Sequence, residues 1–272
     1  MMFDRTVRTT VAQKGGDFIF SCIDPILKDS DVVVANLEGP ITPNPSVSAS
    51  STPGGEFNYT FTFPLGTAAL LAAHNIRIVN LGNNHIENFG NDGVRSTIAD
   101  LSAAHVGYFG DPLGQTVASG MFGLPGQGGI RLAFINYNEF TSTPLGAGSP
   151  ASTTVQQIQE ARAAAEIPVV YTHWGIEYAT TSPARIQALA HEFVDAGAEM
   201  VIGSHPHVVE QHELYKGKYI YYSLGNFIFD QYWNDDVRHG LLLSVKFTSA
   251  GVQSVKEIPI ELDHDRRTCP VS

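Results

Sequence analysis

The sequence predicts an α/β protein built in layers, on three observations. Short apolar, β-branched runs recur along the chain, as in Val32-Val33-Val34-Ala35 and Pro168-Val169-Val170-Tyr171. Between them lie stretches whose apolar residues share one helical face, such as Val94, Ile98 and Leu101. Polar and ionisable side chains then follow directly on the strand runs, at the edge where layered α/β proteins bind ligands.

Taken in order, Met2-Phe3-Asp4-Arg5 leads into a polar segment, and residues 20 to 28 read as a short helix whose start Pro25 restricts. Residues 31 to 36 are a buried strand ending in Asn36-Leu37-Glu38-Gly39-Pro40. Residues 41 to 58, rich in Pro, Ser, Thr and Gly, are a surface loop. Residues 59 to 63 alternate as a strand, residues 64 to 73 are helical, and residues 76 to 80 form a strand running into Leu81-Gly82-Asn83-Asn84-His85. A helix follows from about Asp92 to Ala104, then turn-rich sequence over 110 to 130, a strand over 131 to 137 and a second polar loop over 140 to 152. Thr154 to Gln157 has the form of a capping box opening the next helix. Residues 168 to 172 are a strand that ends at His173-Trp174-Gly175-Ile176-Glu177-Tyr178. The helix begun by Ser182-Pro183 and closed by Gly197 carries Ile186, Leu189, Phe193 and Val194 on one stripe. Strands are expected at 218 to 223, 241 to 247 and 255 to 260, and no internal repeat is present.

At 272 residues, 43% of them hydrophobic, the chain is long enough for one large domain or two modest ones, and the regular spacing of elements favours a single domain over 1 to 272. Acidic residues outnumber basic ones 27 to 16, for a net charge of −11, and no basic run occurs, which argues against a nucleic-acid surface. Cys22 and Cys269 lie near opposite ends; two cysteines make no disulfide framework, and neither has metal-binding spacing. No stretch approaches a membrane span.

The sharpest feature is Gly203-Ser204-His205-Pro206-His207. Pro206 disfavours helix at His205, so an extended tripeptide is expected, with both imidazoles on one side. Glu38, Asn84 with His85, His173, and His205 with His207 all follow strand ends. Together they offer imidazole nitrogens with carboxylate and amide oxygens and no thiolate, the donor types of a borderline-hard metal centre. Taken singly, each has an ordinary reading: loop residues hydrogen-bonded to their surroundings, or, for His173, a ring packed beside Trp174. Glu177 is either a substrate contact or a solvated loop edge, Asn226 an anion contact or a turn cap, and Arg5 and Arg238 are candidate anion contacts.

The blocks Asn36-Leu37-Glu38-Gly39-Pro40-Ile41-Thr42, Gly82-Asn83-Asn84-His85, His173-Trp174-Gly175-Ile176-Glu177-Tyr178, Gly203-Ser204-His205-Pro206-His207-Val208-Val209 and Tyr222-Ser223-Leu224-Gly225-Asn226-Phe227 resemble, in order, those of the CapA-type capsule and poly-γ-glutamate synthesis proteins, a branch of the calcineurin-like metallophosphatases. The resemblance implies a four-layer α/β/β/α sandwich and two divalent metal ions (Mn, Fe or Zn). It makes Glu38 the bridging ligand, places Asn84, His173 and His205 on one ion and His207 on the other, and casts His85 as a proton donor or oxyanion stabiliser. Arg5, Glu177 and Asn226 are the substrate-side candidates. Two departures stand out. The family's opening strand ends in Gly-Asp just before residues matching Met2, Phe3 and Arg5, so the chain reads either as lacking its first strand and leader or as carrying a damaged site. Asn88 stands where the family has Asp, which weakens the role of His85.

The expectation is a metal-dependent hydrolase-like protein acting on an anionic polymer or phosphoester, in contact with a capsule-synthesis membrane complex and tethered outside the cytoplasmic membrane. The competing readings are a non-catalytic scaffold subunit of such a complex and a small-metabolite phosphoesterase.

Overall fold

A computed structural model describes residues 1–114, 116–122, 129–140 and 151–271. Asp4 caps α1 (Arg5–Lys14), accepting from the Arg5 amide, and two short helices follow, α2 (Gly16–Phe20) and α3 (Asp24–Lys28, with Pro25 in its first turn). The chain then alternates β1 (Val33–Asn36), α4 (Thr67–Ala73), β2 (Ile76–Asn80), α5 (Gly90–Ala103) and β3 (Gly107–Phe109). Next come β4 (Ala118–Phe122), β5 (Ile130–Asn138), α6 (Ala151–Ala163), β6 (Ile167–His173), α7 (Ala184–Ala196) and β7 (Met200–Ser204). The hairpin of β8 (His212–Tyr215) and β9 (Lys218–Tyr221) leads through α8 (Asp235–Arg238) to β10 (His239–Thr248), β11 (Gly251–Leu262) and β12 (Thr268–Pro270).

One sheet has six strands in the order β4-β5-β6-β7-β9-β8, with β5, β6, β7 and β9 parallel. Facing it are two three-stranded sheets, the parallel β1-β2-β3 and the antiparallel β10-β11-β12. Ile78, Phe109, Val169, Met200 and Tyr221 pack between the sheets, with Val34, Leu241 and Val245 against them. On the outer faces, α6 and α7 bury Ile158, Ile186 and Phe193 against the six-stranded sheet, while α1 to α5 bury Val7, Phe20, Leu71 and Val94 on the other side. Helix, sheet, sheet and helix therefore stack in four layers, the sandwich that the resemblance implied.

Several local expectations are corrected. Residues 59 to 63 form no strand: only Phe63 bridges to Ile41, while the Thr62 amide donates to Asp4 Oδ2 (2.9 Å), so α1's capping residue takes a group that a ladder would need. The helix expected from Pro64 starts at Thr67. Thr154 is not a cap but lies within α6, its hydroxyl donating to the Asn136 carbonyl at 3.0 Å. Residues 5 to 14, expected to be merely polar, are helical. Cys22 and Cys269, read as making no framework, are bonded to each other, because β12 returns beside the turn between α2 and α3. The expected loop over 140 to 152 falls largely outside the described residues. Where helix α7 ends, Gly197 sits at φ 118°, the left-handed stop expected of it.

Candidate metal centre

β1, β2, β6 and β7 are neighbours or face one another across the sandwich, and each ends at the same rim. Glu38, Asn84, His173, His205 and His207 come together there, with His85 beside them. The expected extended geometry of the His-Pro-His segment is overturned: His205 has φ 103° and His207 φ 61°. A left-handed residue costs on the order of 1 to 3 kcal/mol and persists only where its surroundings fix it. Here the loop is held by the Tyr178 amide on the Pro206 carbonyl (2.8 Å), and the His205 and His207 rings are 6.1 Å apart. Gly203 makes the approach possible, since a Cβ there would lie 1.8 Å from the Tyr222 carbonyl oxygen, which accepts from Trp174 Nε1.

The hydrogen bonds fix where lone pairs point. Ser204 Oγ donates its one proton to the Thr172 carbonyl (2.7 Å), so His173 Nδ1, 3.0 Å away, must be the donor to Ser204. Burial drives the His173 pKa well below its usual value, so the ring is neutral and Nε2 carries a lone pair. That lone pair faces Asn84 Oδ1 at 2.9 Å. Asn84 cannot be turned over, because its Nδ2 donates to His85 Nε2 (3.3 Å), and His85 uses its other nitrogen on the Tyr59 carbonyl.

The same logic holds across the site. His207 Nδ1 donates to Asn226 Oδ1 (3.0 Å), whose amide nitrogen is committed to the carbonyls of His207 and Val237 and to Gln231 Oε1. His207 Nε2 faces Glu38 Oε1, 3.5 Å away, as an ion pair when the ring is protonated and with a lone pair free for a cation when it is not. Glu38 Oε1 and His205 Nδ1 are buried with no hydrogen-bond partner. Buried acceptors that face acceptors are costly unless a cation lies among them. The residues present therefore fit a cation centre, one donor pair being His173 with Asn84 and the other His207 with Glu38.

Burial alone would raise the Glu38 carboxyl, but the imidazoles of His207 and His173 in their protonated forms, the Met1 amino group and His85 lower it by more, to about 2. Burial also brings His205 down to about 4, with His207 adding to the effect, and lowers His85. Both rings are neutral near pH 7, as metal ligation requires. Among the described residues the group of His, Cys, Asp or Glu whose ligand atoms all lie within 4.8 Å of one another is Cys22, Asp263 and Cys269, not the rim set, and its two sulfurs are bonded to each other and offer no thiolate.

The substrate-side candidates are placed differently. Asn226 lies behind His207 and holds its ring. Arg5 is paired with Asp230, donates to Asn58 Oδ1 and sits between the rings of Phe61 and Phe229. Those two rings contact His85 and His207, so Arg5 is one layer removed from the lone-pair cluster. Glu177 is exposed on the loop after His173, and Arg238 pairs with Asp235. Sequence reasoning missed Ser204 and Gln231 as positioning groups and Phe140, whose ring lies 4.1 Å from that of His205. Ser204's place beside His205 was the only available signal.

A layered sandwich with histidine, amide and carboxylate donors at its strand ends is a metallophosphatase-type arrangement. Residues 1–231 match the family model described as bacterial capsule synthesis protein PGA_cap, and the chain belongs to that family. It is 29% identical to the PGA biosynthesis protein CapA of Bacillus subtilis (strain 168) over 279 residues, covering 100% of this chain and 72% of that protein. It is 28% identical to the capsule biosynthesis protein CapA of Bacillus anthracis, over 96% of this chain and 66% of that one. Among solved structures, the sulfate thiohydrolase SoxB of Thermus thermophilus superposes with a TM-score of 0.53 at 13% identity, over 91% of this chain and 42% of that chain, a likeness of fold.

Proposed function

We propose that this chain is a metal-dependent hydrolase acting on an anionic polymer, of the poly-γ-glutamate type, during its synthesis, release or attachment. The observation that carries the reading is the set of fixed lone pairs. His173 Nε2 lies 2.9 Å from Asn84 Oδ1 with no proton available between them, and His207 Nε2 lies 3.5 Å from Glu38 Oε1. Divalent cations held by Glu38, Asn84, His173, His205 and His207 would supply Lewis acidity toward water and toward a phosphoryl or acyl oxygen. Ionised Glu38 neutralises part of the cations' charge. Ser204 and Asn226 hold the rings of His173 and His207 in the ligating tautomer. His85 Nε2, neutral and at the edge of the cluster, is the atom placed to take and return a proton. Phe140 and Tyr178, whose rings lie against His205 and His207, exclude water from that side.

The test is metal content and turnover together. The full chain loaded with Mn²⁺ is expected to bind about two equivalents by calorimetry and to hydrolyse a bis-aryl phosphodiester or poly-γ-glutamate, with both properties lost in His173→Ala. Absence of metal binding by the unaltered chain overturns the reading. A scaffold role is the second reading, favoured by Asn88, which supports His85 with an amide in place of a carboxylate. Stoichiometric metal binding with no turnover of either substrate would select it.

The disulfide between Cys22 and Cys269 supports an oxidising, extracytoplasmic setting. Among the described residues no helix is long and apolar enough to cross a membrane.

A further inference from the structure

The loop after β6 holds an exposed aromatic residue in a costly conformation. Tyr178 has φ 64°, in the left-handed region that a bulky side chain rarely occupies, yet its ring is not packed into the core and stays 39% exposed. Two hydrogen bonds keep it there. Its amide donates to the Pro206 carbonyl (2.8 Å), and Gln231 Nε2 donates to its hydroxyl (3.3 Å), Gln231 being buried and held in turn by Asn226 Nδ2 (2.9 Å). Strain of this kind persists only where the surroundings fix it, and it gathers at ligand clamps. Trp233, 60% exposed, stands at 81° to Tyr178 with the ring centroids 5.4 Å apart. Tyr178 also stacks on His207 at 6.0 Å, so the two exposed rings form a corner directly beside the candidate metal centre.

The charges on these segments decide what can lie in the corner. Glu177 immediately precedes Tyr178, Asp235 and Asp236 follow closely on Trp233, and all three are exposed. Arg5 and Arg238, the candidate anion contacts, are already committed, the first to Asp230 and the second to Asp235 and Glu261. A run of anionic polymer would therefore meet carboxylates and negative ring faces here. An ammonium group would be drawn to the rings, but divalent cations in the adjoining centre, balanced by the single carboxylate of Glu38, would repel it. A hydrocarbon would use the rings and leave the carboxylates idle. An uncharged sugar ring uses both, because the slightly positive C–H groups of one face lie flat on an aromatic ring while its hydroxyls donate to carboxylates.

We propose that the corner of Tyr178 and Trp233 is a saccharide subsite, which binds an uncharged pyranose unit of the substrate next to the bond presented to the metal centre. The anionic polymer is then recognised where it is joined to a glycan, as attachment or release requires. This assignment rests on the proposed function for what the sugar is joined to, but the stacking itself needs neither metal nor turnover.

The chain has two tryptophans and Trp174 is fully buried, so a change of emission on adding a small ligand reports Trp233. The full chain, treated with chelator, is titrated with the uncharged tetramer of N-acetylglucosamine and, at matched ionic strength, with a poly-γ-glutamate oligomer and with tetramethylammonium chloride. The tetrasaccharide is expected to change the emission saturably, with a Kd on the order of 1 mM or tighter. Trp233→Ala, which removes an exposed ring, and Tyr178→Gly, which accepts the positive φ without strain, should each weaken binding by about tenfold in calorimetry and leave circular dichroism unchanged. Glu177→Gln should weaken it by about threefold or more. No saturable response to the tetrasaccharide by either method, or undiminished binding in Trp233→Ala, overturns the subsite. Saturation by the polymer or by tetramethylammonium, with none by the sugar, overturns the choice of occupant. Titration of the same samples with Mn²⁺ separates this proposal from the reading of the centre: sugar binding without metal binding removes the centre and leaves the subsite, and metal binding without sugar binding removes the subsite alone.

Discussion

At the scale of single residues, two buried groups are set by their surroundings in ways that can be measured. Ser204 Oγ donates to the Thr172 carbonyl and accepts from His173 Nδ1, and so fixes which nitrogen of that ring carries the proton. Ser204→Ala is therefore expected to weaken metal affinity by roughly 10- to 100-fold with little change in fold, read by calorimetric titration and circular dichroism; unchanged affinity would mean that the tautomer is set elsewhere. Glu210 is the opposite case, a carboxylate buried with neither oxygen hydrogen-bonded. Burial raises its pKa from 4.5 to about 7. The folded state thus holds a proton that the unfolded chain releases at lower pH, so the stability linked to this group is complete below pH 4.5 and is lost as pH rises through about 7. A shift of that size corresponds to about 3 kcal/mol. Glu210→Gln should leave urea stability near pH 4.5 almost unchanged and raise it at pH 8, and a gain equal at both values would refute the burial account.

At the scale of elements, legibility in the sequence followed the distance over which each signal acts. β6 and α7 could be read almost to the residue, because apolar runs and an apolar stripe ended by Gly197 are properties of the segment itself. α1 could not: its start depends on Asp4, which holds the Arg8 guanidinium one turn on and also the Thr62 amide, 58 positions away in the chain. β8 and β12 were missed because His-Glu-Leu-Tyr and Thr-Cys-Pro carry no β-branched apolar run such as made the equally short β1 legible. The ligand types at the strand ends were legible, whereas the positive φ of His205 and His207 was not, since Pro206 predicts extended backbone and tertiary contacts impose the turn. The Cys22–Cys269 pairing shows the same limit. It ties the α2–α3 turn to β12 across 247 residues, and a link closing so long a loop is worth on the order of 5 to 6 kcal/mol by chain entropy. Dithiothreitol should lower the unfolding midpoint of the unaltered chain and leave that of the Cys22→Ser, Cys269→Ser double variant where it is. Equal midpoints for the oxidised chain and the double variant would show that the His74 contacts with Asp17 and Asp24 already hold this corner.

At the scale of the whole molecule, the sandwich brings its least satisfied groups together at one rim. Glu38 comes from the three-stranded parallel sheet, Asn84 from the loop after β2, and His173, His205 and His207 from the six-stranded sheet, so the cluster joins the two halves of the sandwich. On the proposed reading, facing lone pairs without a cation would weaken the join between the two sheets at this end. With one, the same atoms draw them together, so metal binding should register as global stability and not only as activity. Any ligand that binds only the folded state adds RT ln(1 + [L]/Kd), about 2.7 kcal/mol at a hundredfold excess over Kd. The unfolding midpoint of the chelator-treated chain is expected to rise with the logarithm of added Mn²⁺. The His207→Ala variant should respond less, and a surface variant such as Lys216→Ala, which loses exposed contacts with Asp195 and the Tyr215 ring, should respond like the parent. If the midpoint is flat across three decades of Mn²⁺ and also of Zn²⁺, the rim is a polar cluster held by its hydrogen bonds alone, and the cation centre must be given up.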